Sequence, residues 1–474
     1  MVRTLSGKIN NLAFTFSNFQ ITRNLAKTTS VLTVTHEQPN GSQPIFKIPV
    51  ELICDIFAKY IEDERAPVHH DSPLPLVSYH CRGDPMVLGQ VCSIWRDIAL
   101  NMPSLWSTIL IDKPKWSQLN RTKIWLERSR SSQLTLSVVT DYDPDHRGIS
   151  ASRKILSLFA SHITRWHKID FRLSRDMLKF LHDILSPASR CTELAAVSLY
   201  MYPVRPPTPV WEDASVSGVW SIVYSSPTLR KVTWNDDRAF KLAKNTPFSQ
   251  LTHLDINLFV AVDEILEVLA QCYRAEEITI RTFEKPSLDC QLTSPIVLPY
   301  LRTFKLYSSI ALAPLYASMT FGSLETLLIS YDGSATSTIG DVPALSDCLE
   351  RSSSQLSAFI LHDRKSSEET IVQYLSMPSL ACLKYLECGG QLSQKAVNFL
   401  NRKDLSNGPL IMPALETLLM STFDGIMDSE LKGLVLPRWN GAEGSPFGKL
   451  GRLQKFSLTS SNCVVSNRSF LANC

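Results

Sequence analysis

One six-residue phrase recurs through most of this chain: an apolar residue, two variable residues, a second apolar residue, one variable residue and a third apolar residue. Leu251–Ile256 reads Leu-Thr-His-Leu-Asp-Ile, and Leu324–Ile329 reads Leu-Glu-Thr-Leu-Leu-Ile. This alternation has the period of two of a short β-strand, so the second and third apolar residues point to one side and the residues between them to the other. Copies begin at positions 166, 194, 229, 251, 275, 301, 324, 356, 383, 415 and 453.

Segments with a helical pattern separate the strand phrases. Examples are 262–270, 367–375 and 428–435, each with acidic residues near its start, where they complement the helix dipole. A single strand and helix bury too little apolar surface to fold alone, so neighbouring units must stack. We therefore predict an α/β fold in which 112–474 form an irregular leucine-rich-repeat solenoid. The alternative is an ordinary α/β domain that happens to repeat leucine-rich strands.

Charge and cysteine content limit the class of protein. Forty-eight basic and 45 acidic residues leave a net charge of +3, which favours neither nucleic acid nor a membrane as partner. The 11 cysteines include no Cys-x-x-Cys, which indicates isolated thiols in a reducing compartment.

No secretory signal or membrane-spanning stretch is predicted, so we expect a cytoplasmic or nuclear protein. Residues 1–44, rich in Ser, Thr and Asn, are predicted to be a disordered leader.

Residues 45–111 have a helical pattern of their own. Ile48–Tyr60 predicts one amphipathic helix that starts at Pro49, and Asp84–Leu100 predicts a second that starts with Asp84 as N-cap. The intervening residues, about 62–83, are predicted to form an inserted loop. A helical unit of this size buries little surface by itself. It either caps the repeats or presents apolar side chains to a partner.

The order of residues in this helical unit resembles an F-box. The motif is Ile48-Pro49-x-Glu51-Leu52-Ile53-x-x-Ile56-Phe57, followed by Leu88-x-x-Val91-Cys92-x-x-Trp95-x-x-Ile98-Ala99 and Pro103-x-Leu105-Trp106. The chain is particularly similar to fungal F-box-like proteins with degenerate leucine-rich repeats, which share Trp125–Ser129 and Ile163–Trp166. It departs from the family in the length of its inserted loop, since 33 residues separate Phe57 from Val91.

The resemblance implies that the helical unit binds a Skp-type adaptor, which joins it to a cullin-based ubiquitin ligase, while the repeats select a target protein. By the same resemblance, the adaptor-binding residues are Pro49, Leu52, Ile53, Ile56, Val91, Trp95 and Trp106. If the strands line a concave surface, the variable positions of the phrase face the target. These candidate target-binding residues include Lys231, Asn235, His253, Asp255, Glu277, Arg281, Lys305, Tyr307, Tyr385 and Glu387.

Motifs for chemistry are weak throughout the sequence. The glycines at 441, 444 and 448 before Lys449 miss the spacing of a phosphate-binding loop. Four potential zinc ligands in the inserted loop are better read as solvated side chains: His69, His70, His80 and Cys81. The basic residues between Lys113 and Arg130, interrupted by Trp116 and Trp125, predict a basic helix face beside core tryptophans rather than a nucleic-acid site.

We therefore predict a protein that is not an enzyme and has no catalytic, cofactor-binding or metal-binding residue. The predicted function is substrate recognition for a ubiquitin ligase. One alternative is a protein-binding scaffold without a ligase connection, in which the F-box-like helices serve only as a cap. A weaker alternative is a hydrolase or nucleotide-dependent enzyme with an unrecognised site.

Overall fold

The computed structural model describes residues 48–65, 84–140, 146–185, 190–202, 214–235, 246–284, 295–331, 341–352, 354–363, 367–392, 394–401, 411–423, 434–435, 453–459 and 464–466. The chain divides into two compact units: Met1–Ile111 with Asn120–Leu134, and Asp112–Leu119 with Thr135–Cys474. The predicted leader and all but the first residues of the predicted inserted loop lie outside the described residues.

The first unit is mainly helical. Its elements are α1 (Val50–Arg65), α2 (Pro85–Leu88), α3 (Ser93–Leu100), a 3-10 turn (Pro103–Trp106), β1 (Thr108–Asp112) and the part of α4 (Trp116–Arg128) from Asn120 onward. The carbonyl of Pro49 accepts hydrogen bonds from the amides of Leu52 (3.1 Å) and Ile53 (3.2 Å). The first helix therefore begins at Val50, directly after the proline at which the sequence predicts its start.

The second predicted helix, Asp84–Leu100, is wrong in one respect, because it is broken in two. Asp84 caps α2 by accepting a hydrogen bond from the Met86 amide (2.9 Å), as predicted. The helix then ends at Gly89, a poor helix former. Cys92 has an extended backbone (φ −156°, ψ 173°), and its sulfur accepts a hydrogen bond from the Trp95 amide (3.5 Å), so it serves as the N-cap of α3.

Two tryptophans form the centre of the first unit. The Trp106 indole N–H donates to the Ala99 carbonyl (2.8 Å), and its ring meets Trp125 edge to face with centroids 5.6 Å apart. The guanidinium of Arg128 lies 4.5 Å from the Trp106 ring centroid, and that of Arg121 lies 4.9 Å from the Trp125 ring centroid. These contacts explain why 120–134 belong to the first unit, although the sequence analysis placed everything after 111 with the repeats.

The second unit is dominated by strands. Their bounds are β2 (Leu134–Val139), β3 (Trp166–Leu173), β4 (Ala196–Met201), β5 (Lys231–Asn235), β6 (His253–Ala261), β7 (Glu277–Glu284), β8 (Ile296–Leu298), β9 (Thr303–Ser308), β10 (Met319–Phe321), β11 (Thr326–Tyr331), β12 (Ala358–Asp363), β13 (Tyr385–Leu392), β14 (Thr417–Phe423), β15 (Lys455–Thr459) and β16 (Val464–Ser466). The strands β2-β3-β4-β5-β6-β7-β9-β11-β12-β13-β14-β15-β16 form one large sheet in that order. Strands β8 and β10 pair parallel in a separate small sheet.

Neighbouring strands of the large sheet are parallel from β3 to β15, and the β15–β16 pair is antiparallel. The register aligns the phrase from strand to strand, so Val232 pairs with Leu254 and Trp234 with Ile256. These second and third apolar residues of the phrase are buried wherever the structure describes their side chains, and they form the core-facing rows of the sheet. The predicted strand alternation is therefore confirmed, and burial of these rows is the main stabilising contribution.

Helices connect many of the strands. Their bounds are α5 (His146–Ala160), α6 (Arg175–Ile184), α7 (Ala214–Tyr224), α8 (Val262–Leu269), α9 (Ala313–Ala317), α10 (Asp341–Arg351), α11 (Glu368–Leu375) and α12 (Gln394–Asn401). Ser367 caps α11 by accepting a hydrogen bond from the Thr370 amide (3.2 Å). Two of the three predicted helices are thus confirmed, and the third, at 428–435, lies outside the described residues except for its last two positions.

The α/β fold class is confirmed as a mixed fold with a large, mostly parallel sheet. The predicted leucine-rich-repeat solenoid is wrong, because the large sheet is not a solenoid. A solenoid repeats one backbone unit, whereas the connections between these strands differ in kind: α9 has five residues, α10 has 11, and two connections contain the strands of the small sheet. The unequal spacing of the phrase is the sequence counterpart of this irregularity.

The described cysteines are all free thiols. Burial raises the pKa of the thiols of Cys191, Cys272 and Cys388 to about 12 each, and that of Cys348 to about 11. These four residues therefore act as small apolar side chains of the core, as the sequence analysis expected of isolated thiols.

Candidate functional site

Helix α1 carries more apolar surface than the first unit buries. Ile53, Phe57 and Ile61, spaced four residues apart, are buried on one stripe. The adjacent stripe carries Leu52, which is 52% exposed, and Ile56, which is 39% exposed. An amphipathic helix of a monomer normally has polar residues outside its buried stripe, so these two positions indicate a surface that something else covers.

Exposed aliphatic residues continue on the next two helices. Met86 and Val87 of α2, Val91 in the turn after it and Ile94 of α3 are all exposed. We call the exposed apolar residues of α1, the α2–α3 turn and both short helices the docking surface: Val50, Leu52, Ile56, Met86, Val87, Val91 and Ile94. Only four other large apolar side chains are exposed among the described residues: Trp116, Tyr273, Val297 and Tyr300.

The structure separates the predicted adaptor-binding residues into two groups. Pro49, Leu52, Ile56 and Val91 are exposed, and Trp95 is half-buried, with its ring 4.9 Å from Phe57 in an edge-to-face contact. Ile53 and Trp106 are different, because both are buried within this chain. Their assignment to the adaptor surface is corrected here, since a side chain enclosed by its own fold has no area to offer a partner.

Four members of the docking surface were missed by the sequence analysis: Val50, Met86, Val87 and Ile94. The sequence contains a signal for the three on α2 and α3. These helices are too short to bury more than one stripe each, and Met86, Val87 and Ile94 lie outside the buried positions Pro85, Leu88 and Ala99. An apolar residue next to such a stripe has no place in the interior.

The basic cluster of α4 is partly used inside the first unit. Arg121 and Arg128 cover the two tryptophan rings, and Arg121 also forms an ion pair with Asp84 (2.7 Å). These two cations therefore already have partners within the chain, which favours the predicted basic helix face over nucleic-acid binding. Trp116 departs from that prediction, because it is 50% exposed rather than part of the core.

The second candidate surface is the face of the large sheet opposite its buried rows, which we call the outward face. The strand register arranges it in three rows. The first row is Lys168, Ala196, Lys231, His253, Glu277, Thr303, Thr326, Ala358, Tyr385, Thr417 and Lys455. The second row is Asp170, Ser198, Thr233, Asp255, Thr279, Lys305, Leu328, Ile360, Glu387, Leu419 and Ser457. The third row is Arg172, Tyr200, Asn235, Asn257, Arg281, Tyr307, Ser330, His362 and Gly389.

All ten predicted target-binding positions fall in these three rows, so the sequence identified the residues that share a face. Lys231 is exposed, and the other described side chains of the set are half-buried. The side chain of Asn235 lies outside the described residues. Whether these positions contact a target remains a prediction.

Charges on strands β6 to β9 are paired across neighbouring strands. Lys305 Nζ lies 2.8 Å from Glu277 Oε1, and Arg281 Nε lies 3.3 Å from Asp255 Oδ1. Burial opposes ionisation of Glu277, but the hydrogen bond and charge of Lys305 outweigh it and hold the pKa of Glu277 below its usual value. Burial dominates at Asp255, and its pKa is raised despite Arg281.

A second polar group surrounds Glu387. His362 Nε2 lies 3.0 Å from Glu387 Oε1, and the Tyr385 hydroxyl donates to Glu387 Oε2 (2.5 Å). Gly389 makes room for the imidazole, because a Cβ there would lie 2.6 Å from His362 Cδ2. The hydrogen bond from His362 is the main reason that the pKa of Glu387 is lowered.

The lowered pKa of Glu387 gives a pH-dependent prediction. A carboxyl whose pKa is depressed by folding stabilises the folded state above its ordinary pKa of 4.5, and this contribution is lost as the pH falls through the folded-state pKa. We expect Glu387→Gln to lower the free energy of unfolding at pH 7 by at most about 1 kcal/mol, since the pair is partly solvated. The measurement is urea unfolding at pH 7 and at pH 3.5, where the difference from wild type should shrink. Glu267→Gln, at an exposed position, is the control. A difference that persists unchanged at pH 3.5 would contradict the assignment.

Aliphatic residues occupy the second row between the charged groups. Leu328 is 8% exposed, and Ile360 and Leu419 are half-buried. Leu328 and Ile360 are direct cross-strand neighbours in the register. The phrase predicts a variable residue at its fifth position, although three of its copies have an aliphatic residue there.

The described residues contain no group of three or more His, Cys, Asp or Glu side chains arranged to hold a metal ion. The histidines at 69, 70 and 80, Cys81 and the glycine-rich segment 441–449 lie outside the described residues. Within the described part of the chain, no helix combines the length and apolar character needed to cross a membrane.

Neither models of protein families nor curated proteins gave a match to this chain. Its function is therefore argued from the two surfaces.

Proposed function

We propose that this chain is the substrate-recognition subunit of a cullin-type ubiquitin ligase, in which the helices of the first unit bind a Skp-type adaptor and the outward face of the sheet binds a target protein. The observation that carries the proposal is the docking surface. Seven exposed aliphatic side chains within helices α1 to α3 and their connecting turn are more than a small helical unit leaves in water without a partner.

The composition of the docking surface supports a protein partner. Its residues are aliphatic and lie on helices that pack against one another through the Phe57–Trp95 contact. Removing such side chains from water contributes about 25 cal/mol per Å² of apolar area, which favours an interface that covers them. Charged residues on α1, including Glu51 and Asp55, flank the aliphatic stripe and fit a polar rim.

The outward face supports the second half of the proposal. It presents charged, aromatic and aliphatic side chains on adjacent parallel strands, a mixture suited to a protein ligand. Chemistry by this chain is not required, because holding the target beside the ligase raises the effective concentration of the reacting groups.

The test is co-purification of the full chain with a Skp-type adaptor. We expect the wild-type chain to retain the adaptor, and Leu52→Glu or Ile56→Glu each to weaken binding about 30-fold, which corresponds to about 2 kcal/mol for an interface hot spot. Val297→Glu is the matched control, since Val297 is exposed to the same degree as Leu52 but lies in the second unit. Thermal unfolding of each variant shows whether its fold is retained.

Trp95→Ala gives a second arm. Because Trp95 is half-buried, its loss should weaken adaptor binding while the chain stays folded. A wild-type chain that does not retain the adaptor would contradict the ligase proposal and leave the alternative of a binding scaffold, in which a different protein covers the docking surface.

A further inference from the structure

The four acidic side chains of the outward face all have partners of this chain in the described strands β3 to β15. Asp170 lies 3.8 Å from Arg172, Asp255 lies 3.3 Å from Arg281 and Glu277 lies 2.8 Å from Lys305. The fourth acid, Glu387, is hydrogen-bonded by His362 and Tyr385. A partner that presents basic residues would have to break these pairs to find a carboxylate.

Three lysines of the same face differ from these acids in being exposed and outside ion-pair distance of the described carboxylates. Lys168, Lys231 and Lys455 are exposed, and among the described residues none of them has a carboxylate within 4.0 Å of its Nζ. All three belong to the first row, on β3, β5 and β15. The charge that the outward face offers to a partner is therefore positive, and it follows the side of the face where the strands begin.

The aliphatic part of the face lies beside this row. Leu328 and Ile360 are neighbours in the second row, and Leu419 follows two strands further on. Neutral residues stand next to them in the first row: Thr326, Ala358 and Thr417. A partner that covers this area must bring apolar side chains, because the area has little charge to pair with.

We propose that the outward face binds a segment of another protein in which acidic side chains lie next to aliphatic or aromatic ones. This rests on the proposed function, since it names the class of target that the sheet would select. The acidic residues pair with the lysines of the first row, and the apolar residues cover the half-buried Ile360 and Leu419. Strands are about 4.8 Å apart, so Lys231 and Ile360, five strands apart in the sheet, are separated by about 24 Å, the length of about seven extended residues.

A polyanion fits this face less well. A nucleic acid is bound through many cationic contacts to a closely spaced run of phosphates. Here Lys231 and Lys455 are eight strands apart, which is about 38 Å, and the aliphatic residues lie between them. The arrangement favours a ligand whose charge is interrupted by apolar side chains.

The test uses a displayed library of random 12-residue peptides, selected against the immobilised full chain. We expect the selected peptides to be enriched in Asp and Glu next to Leu, Ile or Phe. Lys231→Glu and Ile360→Thr should each weaken the binding of a selected peptide about tenfold. Lys179→Glu, an exposed lysine on helix α6 of the same unit, is the matched control and should leave binding unchanged.

Several results would overturn the proposal: no selected peptide, peptides without acidic enrichment, or peptides whose binding survives both Lys231→Glu and Ile360→Thr. A 20-nucleotide single strand that binds in a Lys231-dependent and Ile360-independent manner would reassign the face to polyanions. The variants Leu52→Glu and Ile56→Glu should bind the selected peptides normally. Failure of the adaptor experiment and failure of peptide binding are therefore distinguishable.

Discussion

Trp106→Ala is expected to lower the free energy of unfolding of the first unit by about 4 kcal/mol, the upper part of the range for truncating a buried aromatic residue. The indole is 1% exposed, donates a hydrogen bond to the Ala99 carbonyl, packs edge to face on Trp125 and lies beneath the Arg128 guanidinium. Truncation to alanine removes these contacts and leaves a cavity beside Trp125. Urea unfolding gives the loss, and hydrogen exchange of the α3 amides locates it in the first unit.

Two other tryptophans serve as controls for that measurement. Trp116→Ala should have a smaller effect, about 1 kcal/mol, because half of the Trp116 side chain is already exposed in the folded state. Trp95→Ala should cost about 2 kcal/mol, since the half-buried ring loses only its contact with Phe57 and part of its burial. Equal losses in the free energy of unfolding for Trp95→Ala and Trp106→Ala would contradict the assignment of Trp106 to the core and of Trp95 to the partly exposed surface.

The tryptophans also show what the sequence could not decide. Both Trp95 and Trp106 fit the apolar pattern of the helical unit, and the F-box resemblance assigned both to the adaptor. Their roles differ because residues from beyond position 120 close over Trp106: Trp125 and Arg128 come from α4. The apolar pattern within 45–111 cannot show that Trp125 and Arg128, which come later in the chain, pack on Trp106.

The outward face was more predictable. A period of two fixes which residues of each strand share a face, and the parallel register then aligns equivalent positions of the phrase across the sheet. The pairing of charges was not predictable in the same way. Lys305, in the second row, forms its ion pair with Glu277 of the first row. Which neighbour it pairs with depends on side-chain conformation, which the strand pattern does not predict.

Asp341 is a buried acidic residue at the start of α10. Its substitution is expected to lower the stability of the second unit. Its side chain is fully buried. Oδ1 accepts hydrogen bonds from the amides of Leu312 (2.9 Å) and Ala313 (2.7 Å), and Oδ2 accepts one from the Tyr331 hydroxyl (2.5 Å). The carboxylate thereby joins α10 to strand β11 and to the start of α9.

We expect Asp341→Ala to lower the free energy of unfolding of the second unit by about 4 kcal/mol, because it leaves two backbone amides and one hydroxyl buried without acceptors, at about 1–3 kcal/mol each, with some relief by relaxation. Asp347→Ala is the matched control, since Asp347 is an exposed residue of the same helix. Urea unfolding of both variants at pH 7 is the measurement. A loss below 1 kcal/mol for Asp341→Ala would show that the carboxylate does not join these elements.

The pH dependence of the same residue has the opposite sign to that of Glu387. Burial is the largest influence on Asp341 and raises its pKa, although Tyr331 and the amides of Leu312 and Ala313 favour the charged form. The folded state therefore binds the proton of Asp341 more tightly than the unfolded state does. The contribution of Asp341 to stability consequently falls as the pH rises from 3.8, its ordinary pKa, to the raised pKa of the folded state. Above the raised pKa this contribution no longer changes with pH. Asp341→Asn has no such proton, and its Oδ1 can still accept from the two amides. The difference in unfolding free energy between wild type and Asp341→Asn should consequently move against the wild type as the pH rises above 3.8, and a difference that moves in favour of the wild type would contradict the burial of this carboxyl.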